Sequence, residues 1–285
     1  MPEPQRTIST EVSLDGLGLF SGERSTLTIT PGEPNTGILF IREQGGHVAR
    51  IQALVQNVLK RPRRTCLRNG TLYVETIEHC MAALAGTGVT NAVIRIAGGI
   101  TGELPAVDGS ARPFVEALHA AGIVDQDAPV DPIIIEKPVQ VASGEATLAA
   151  LPGPRDHLEV IYDFEAPAPV GRQVFVFEHK GSAFVEQIAS ARTFVFEDEA
   201  QELRARGFGR HLTPQDLLVI APSGPVENQW RFADECVRHK VLDIIGDLAL
   251  AGRPIYGRIV AHKSGHEMNH LLVRKLLQHV EETQR

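Results

Sequence analysis

The order of strand-like and helix-like segments runs twice along this chain of 285 residues. Short runs rich in β-branched residues, Ser25–Thr30 and Gly37–Arg42, precede a helix near Thr76 and a second helix that ends near Gly122. Strand chemistry then resumes over Ile133–Pro152, and helices follow again. We therefore predict an α+β fold of two similar halves, each a small sheet packed with helices.

A polar stretch with prolines, Asp125–Pro132, separates the two halves and is predicted to be a linker. We accordingly predict a first α+β domain over residues 1–126 and a second over residues 127–285. The strand Ile255–His262 and a terminal helix belong to the second domain.

Composition limits the classes of function. The hydrophobic share of 43% suffices for a packed core, and the formal charge of −7 argues against nucleic acid as a partner. The three cysteines have neither disulfide-framework nor zinc-site spacing. No apolar run approaches the length needed to span a bilayer, and the N-terminus lacks a signal-peptide pattern. We expect a soluble, cytoplasmic monomer.

The segment Tyr73–Gly86 predicts an amphipathic helix that opens with two adjacent titratable residues, Glu78 and His79. One interpretation is a solvated first turn, where the helix dipole favours an acid. The other is a pair with a chemical task, because adjacent helical residues point about 100° apart and can do different things at one site.

A second helix, Val237–Gly252, aligns His239, Asp243 and Asp247 at i, i+4 and i+8, opposite an apolar stripe. This line is either a solvated face or part of a metal site, since a histidine and an aspartate at i, i+4 can ligate one ion. Catalytic zinc commonly takes three N or O ligands, and His79 is the best candidate for the third. Near the C-terminus, composition alone does not choose among His262, His266 and His270.

Together these segments resemble one family, the zinc-dependent UDP-3-O-acyl-N-acetylglucosamine deacetylases of lipid A biosynthesis. The similarity is carried, in the family's order, by TIEHCMAALAG with GVTNAVIRI, LPAVDGSARPFVEAL, ASARTFVF, and FADECVRHKVLDIIGDLALAG with HKSGH. The resemblance implies a β-α-α-β sandwich with the active site in the groove between the halves. It also implies removal of the N-acetyl group from the acylated UDP-amino-sugar, with release of acetate, by a stand-alone deacetylase.

The resemblance assigns roles residue by residue. His79, His239 and Asp243 would bind Zn²⁺, and Glu78 would take a proton from the zinc-bound water. His266 would be the protonated group that stabilises the oxyanion and assists the departing amine, and Asp247 would hold the other ring nitrogen of His266. Thr193 would donate a hydrogen bond toward the oxyanion. Lys240 would add positive charge near the site and the substrate diphosphate. Two histidines and a carboxylate also suit Fe²⁺.

Substrate contacts are predicted less directly. Phe164 and Phe194 fall where the family has aromatic contacts to the nucleotide-sugar, with plain core residues as the alternative. Lys263 would reach the diphosphate or be an ordinary surface lysine. Residues 162–179 are predicted to be the insert that forms an apolar passage for the acyl chain.

Several segments are not explained by the resemblance alone. Phe20 stands where the family usually has a histidine, and residues 206–222 depart from the familiar pattern at the mouth of the passage. We interpret the basic cluster Arg61–Arg64 as a solvated loop, with a contact to anionic lipid as the alternative. Under that alternative the protein would make transient contact with the inner-membrane surface. Asp108-Gly109-Ser110 is predicted to be a turn and helix cap.

Two alternatives remain at this point. One is a metal-dependent deacetylase of another N-acyl nucleotide-sugar, and the other is a non-catalytic protein that binds sugar nucleotides. A base beside a metal ligand argues against the binding protein, and the absence of H-E-x-x-H disfavours a metallopeptidase of that class.

Overall fold

The structure is a computed structural model that describes residues 3–283. Its first ten strands are β1 Pro4–Ile8, β2 Val12–Leu17, β3 Arg24–Pro31, β4 Ile38–Gln44, β5 His47–Gln52, β6 Val58–Leu59, β7 Cys66–Asn69, β8 Leu72–Glu75, β9 Ala92–Gly98 and β10 Ile123–Pro129. The later strands are β11 Ile133–Ile134, β12 Val139–Ser143, β13 Ala146–Leu151, β14 Leu158–Glu165, β15 Arg172–Glu178, β16 Phe194–Phe196, β17 Leu218–Ala221, β18 Gly224–Pro225 and β19 Ile255–His262. The α-helices are α1 Glu78–Gly86, α2 Arg112–Ala121, α3 Ala183–Gln187, α4 Glu197–Ala205, α5 Glu235–Leu248 and α6 His266–Thr283.

Two main sheets share one topology. The first has the strand order β2-β3-β9-β4-β5, and the second has the order β12-β13-β19-β14-β15 with β11 beside β19. In both sheets the middle strand runs antiparallel to one neighbour and parallel to the other. The second half of the chain therefore repeats the first, which confirms the prediction of two similar α+β halves.

Helices fill the space between the sheets. α5 packs against β14 and β15, α6 packs against β12 and β13, and α2 contacts β2. α1 contacts both α2 and α5, so the helix layers of the two halves meet each other. The order of layers is sheet, helices, helices, sheet, and this is the predicted sandwich.

A glycine sets how closely the two helix layers approach. A Cβ atom on Gly246 of α5 would overlap the backbone carbonyl oxygen of Glu78 in α1. Because position 246 carries no side chain, the first turn of α1 lies directly on the middle of α5. This close approach brings residues of the two halves into one site.

The prediction of an amphipathic first helix is wrong. α1 begins at Glu78, and all of its residues except Ala85 are buried. The helix lies against α5 and α2 and has no solvated face, so the interpretation of Glu78 and His79 as a solvated first turn is also wrong.

Two further predictions about segments are corrected. Part of the predicted linker is strand β10, which pairs antiparallel with β1 and is therefore held in a sheet. The predicted insert at residues 162–179 is the β14–β15 hairpin, and β14 pairs with the middle strand β19 of the second main sheet. The division of the chain at residues 126 and 127 stays a prediction.

The three cysteines lie in the interior as free thiols. Cys66, Cys80 and Cys236 are free and buried, and burial raises the pKa of each thiol to about 12. Among the helices of residues 3–283, none combines the length and apolar composition required to cross a membrane.

Candidate metal centre and catalytic site

Three predicted ligands meet where α1 lies on α5. One ligand atom from each of His79, His239 and Asp243 lies within 4.8 Å of the others, and all three side chains are buried. His239 and Asp243 lie one turn apart on α5, whereas His79 comes from the first turn of α1. The two histidine rings lie edge to face, with centroids 5.1 Å apart.

The hydrogen bonding of this cluster fits a cation. The Nδ1–H of His239 donates to the carbonyl oxygen of Ala191 at 3.1 Å, so the lone pair of Nε2 faces Asp243 Oδ1 at 3.4 Å. Asp243 Oδ1 is buried and has no hydrogen-bond partner within the described residues. Two acceptors that face each other in a buried site repel unless a cation lies between them, so the residues present fit a bound metal ion.

The ionisation states also suit ligation. Burial, with the neighbouring His239 as a smaller cause, lowers the pKa of His79 to about 3, so its ring stays neutral near pH 7. Burial alone would raise the pKa of Asp243, but Lys240 and the neighbouring histidines together outweigh it and lower that pKa. Lys240 Nζ donates to Asp243 Oδ2 at 2.7 Å, which fixes the carboxylate with Oδ1 directed toward the histidines.

Glu78 is the base candidate beside this cluster. Its carboxylate is only 3% exposed, and Oε2 accepts the backbone N–H of Thr65 at 3.0 Å. Burial raises the pKa of Glu78 to about 7. A carboxyl group with that pKa exchanges a proton readily near neutral pH, as a general base must.

His266 is the acid candidate. Its Nδ1 donates to Asp247 Oδ2 at 2.7 Å, and Asp247 is fully buried. Burial alone would lower the pKa of His266, but the carboxylates of Asp247, Asp243 and Glu78 together outweigh it and raise that pKa to about 9. The same pairing, against the opposing effect of burial, lowers the pKa of Asp247. His266 is therefore an imidazolium near pH 7.

Around Asp247 the sequence reasoning missed Thr65 and Asn269, and it left His270 as one of three candidate histidines without a role. The Thr65 hydroxyl donates to Asp247 Oδ1 at 2.5 Å, His270 Nε2 lies 3.2 Å from the same oxygen, and Asn269 donates to Oδ2 at 2.9 Å. The i, i+4 spacing of His266 and His270 was visible in the sequence, whereas nothing in the sequence around Thr65 marks it.

A cavity of about 840 Å³ opens beside the cluster. The predicted site residues that line it are Glu78, His79, Phe164, Thr193, Phe194, His239, Lys240, Asp243 and His266. Phe164 and Phe194 lie edge to face with centroids 5.6 Å apart, and the Thr193 N–H donates to the carbonyl oxygen of Gly109 at 2.7 Å. Lys263 does not line this cavity, because its amine pairs with Glu145 and Glu165 on the outer surface.

The structure also locates segments that the family resemblance did not explain. Phe20 lines the cavity, and the guanidinium of Arg64 lies 4.3 Å from the centre of its ring. Residues 61–63 of the basic cluster form an exposed turn, as predicted, whereas Arg64 is half-buried. Arg61 and Arg64 pair with Glu75, and Arg61 also lines the cavity. The expected turn is present, and Ser110 Oγ accepts the Arg112 N–H. The N-cap residue of α2 is Ala111, which makes no side-chain cap hydrogen bond, so the predicted cap at residues 108–110 is wrong.

Comparison with known proteins agrees with this geometry. Residues 5–278 match the family described as UDP-3-O-acyl N-acetylglycosamine deacetylase. The protein named UDP-3-O-acyl-N-acetylglucosamine deacetylase in Myxococcus xanthus (strain DK1622) is 38% identical over 274 residues, which cover 96% of this chain and 86% of that protein. Proteins of the same name from Geobacter sp. (strain M21) and Thermosynechococcus vestitus (strain NIES-2133 / IAM M-273 / BP-1) are 36% and 38% identical, and each match covers 96% of this chain and 88% and 94% of the respective protein. This chain therefore belongs to the UDP-3-O-acyl-N-acetylglucosamine deacetylase family.

Proposed function

We propose that this chain removes the N-acetyl group of UDP-3-O-acyl-N-acetylglucosamine, a step of lipid A biosynthesis, and that its metal is zinc. The proposal rests on one group of buried side chains beside the cavity. It joins three N and O ligands, a carboxyl group with a raised pKa, and an imidazolium held by a buried carboxylate. A protein that only binds sugar nucleotides has no use for this combination of base and acid.

His79, His239 and Asp243 would hold the zinc ion. When bound, zinc would polarise the acetyl carbonyl and make the attacking water more acidic. Ferrous iron fits the same donor set, since imidazole and carboxylate ligands suit both ions.

The protein groups divide the proton transfers of amide hydrolysis between them. Glu78 takes a proton from the water as its oxygen bonds to the acetyl carbon. Thr193 and the imidazolium of His266 stabilise the negative charge that develops on the carbonyl oxygen. The C–N bond then breaks, a proton passes from His266 to the departing amine, and acetate is released.

The cavity provides room for the rest of the substrate. Its apolar lining residues include Phe164, Phe194, Val195, Leu203, Leu212 and Leu217. This apolar wall suits the 3-O-acyl chain. Lys240 carries a positive charge at the same site, which suits the diphosphate, although its amine is already paired with Asp243.

The test is release of acetate by the zinc-loaded protein. UDP-3-O-acyl-N-acetylglucosamine is compared with UDP-N-acetylglucosamine and with free N-acetylglucosamine at equal concentrations. We expect the acylated substrate to have the highest kcat/KM of the three. Turnover of an unrelated N-acyl sugar nucleotide, with none of the acylated substrate, would show that the metal site serves another substrate.

Monomeric state, cytoplasmic location and transient membrane contact stay predictions from the sequence.

A further inference from the structure

The roof of the cavity is formed by a segment with little core of its own. We call residues 197–212, which are α4 and the seven residues after it, the cap. The described structure of α4 includes no buried residue. Leu203, Phe208 and Leu212 of the cap line the cavity but are not buried, and Phe208 is 46% exposed. The cap thus presents apolar side chains to the cavity, and these side chains remain partly exposed.

Hydrogen bonds within the cap give it its shape, and α4 also contacts strands β16 and β17. After α4 the N–H of Gly207 donates to Arg204 O and the N–H of Phe208 to Leu203 O. Gly207 and Gly209 have positive φ, so the chain turns sharply twice before Leu212. The Arg204 guanidinium donates to Leu212 O and ties the end of the cap back to α4 at 3.2 Å.

Two polar contacts among the described residues tie the cap to the first half of the chain. The His211 Nε2–H donates to the carbonyl oxygen of Gly18 at 2.9 Å, and Arg63 pairs with Glu199. The partners of the cap are Gly18, next to Leu19, and Arg63, next to Pro62, and both Leu19 and Pro62 line the same cavity as the cap. Both ties therefore hold the cap beside other residues that line the cavity.

The turn at residues 18–22 has room for the His211 ring because position 22 is a glycine. Gly22 has φ +68°, and a Cβ atom there would lie 2.5 Å from His211 Nδ1. Only glycine combines that backbone conformation with room for the imidazole. The turn at residues 18–22 thus supplies both the carbonyl that His211 binds and the space in which its ring lies.

We propose that His211 is a specificity-determining residue, which holds the cap over the cavity so that a long 3-O-acyl chain is gripped between the cap and residues 18–22 and 60–63. This inference rests on the proposed function. Burial of Leu203, Phe208 and Leu212 by the acyl chain supplies the apolar contact that the free cap lacks. The His211–Gly18 hydrogen bond holds the cap in place before the substrate arrives, so less ordering remains for binding. The segment that departs from the family pattern is thereby a device for selecting the acyl chain.

The experiment compares His211→Ala and Gly22→Ala, which break the tie from opposite sides, with Arg206→Ala as the matched control. Arg206 is exposed and its nearest acid is Glu202 of the cap itself, so this change leaves the tie intact. His211→Gln retains a side-chain N–H donor. KM and kcat are measured with a long-chain and a short-chain 3-O-acyl substrate, and amide hydrogen exchange of residues 197–212 is followed without substrate.

For His211→Ala and Gly22→Ala we expect KM of the long-chain substrate to rise roughly three- to tenfold, the effect of one hydrogen bond, with kcat within about twofold. KM of the short-chain substrate and both constants of Arg206→Ala should match the parent, and His211→Gln should recover part of the loss. Amides of the cap should exchange faster in the two variants. Equal effects on both substrates, or unchanged exchange, would overturn the inference. If the parent hydrolyses neither substrate, the proposed function fails, and the exchange comparison alone still decides whether His211 holds the cap.

Discussion

Asp247 and His266 form an ion pair at the centre of the site, with Oδ2 and Nδ1 2.7 Å apart and the carboxylate fully buried. α5 supplies the acid and the first residue of α6 supplies the imidazole. Because a buried carboxylate needs a cationic partner, the pair keeps His266 protonated well above the pH at which a free imidazole loses its proton.

The first prediction concerns pH. Glu78 must be ionised and His266 protonated for turnover, so kcat/KM should follow a bell-shaped pH profile. The pKa of Glu78 is about 7 and that of His266 about 9, which places the alkaline limb near pH 9. A bound cation disfavours protonation of both groups, so it moves the acidic limb to pH 7 or below and the alkaline limb to pH 9 or below. A rate that stays constant from pH 8 to pH 10 would contradict the role of His266.

The same pair makes a signed prediction for stability. The pKa of His266 is raised from 6.5 to about 9 on folding. Its contribution to the free energy of unfolding is therefore complete below about pH 6.5 and is lost as the pH rises through about 9. Denaturant unfolding of His266→Gln and of the parent should thus differ more at pH 6 than at pH 10. A difference that grows with pH would have the wrong sign.

Thr65 is predicted to position both catalytic groups. Its N–H binds Glu78, and its hydroxyl binds Asp247 and lies 3.0 Å from His270 Nε2. Thr65→Val keeps the shape of the side chain but removes the hydroxyl, so kcat should fall roughly tenfold while KM changes little. Thr65→Ser restores the hydroxyl and should recover most of the rate. Equal activity of the valine and serine variants would show that the hydroxyl has no such role.

Metal removal should destabilise the protein as well as inactivate it. The ligands come together only in the folded state, so zinc bound at 100 times its Kd adds about 2.7 kcal/mol to stability. We expect a chelator to lower Tm and added zinc to restore it. In Asp243→Ala the Tm should not respond to zinc, because the orphaned oxygen of the cluster is gone. An equal zinc-dependent rise in Tm for parent and variant would place the ion elsewhere.

Gly246→Ala tests the close approach of the two halves. The added methyl group would overlap the carbonyl oxygen of Glu78, and overpacking of this kind costs about 1–3 kcal/mol. At Gly265, by contrast, a Cβ atom would meet nothing within 4 Å, so Gly265→Ala should change the free energy of unfolding by less than about 0.5 kcal/mol. Denaturant titration of both variants measures the difference, and equal stabilities would mean that α1 and α5 have room to separate.

Parts of the fold were predictable because they depend on local periodicity. The alternation of Leu27 and Ile29 with threonines marks β3 as a half-buried strand, and Leu27 and Ile29 are indeed fully buried. The line of His239, Asp243 and Asp247 on α5 follows from helical geometry alone. The repeat of the two halves was visible because the order of elements is itself periodic.

What the sequence could not show depends on contacts between distant segments. Nothing local to Glu78 reveals that α5 covers it, so its helix was expected to be amphipathic. Lys263 was expected near the substrate, yet two outer-surface glutamates compete for its amine. Thr65 is 182 residues from Asp247 in sequence, and only the folded chain brings its hydroxyl to that carboxylate.

The most direct test of the account is the rate of acetate release by Glu78→Gln, measured beside the parent on the acylated substrate and with the zinc content of both proteins determined. Glutamine has the shape of the glutamate but cannot take a proton, and the three ligands are unchanged. The account predicts full zinc occupancy and a kcat reduced by about 100-fold or more, the usual effect of losing a general base. A fully loaded variant whose kcat stays within a few-fold of the parent would contradict it.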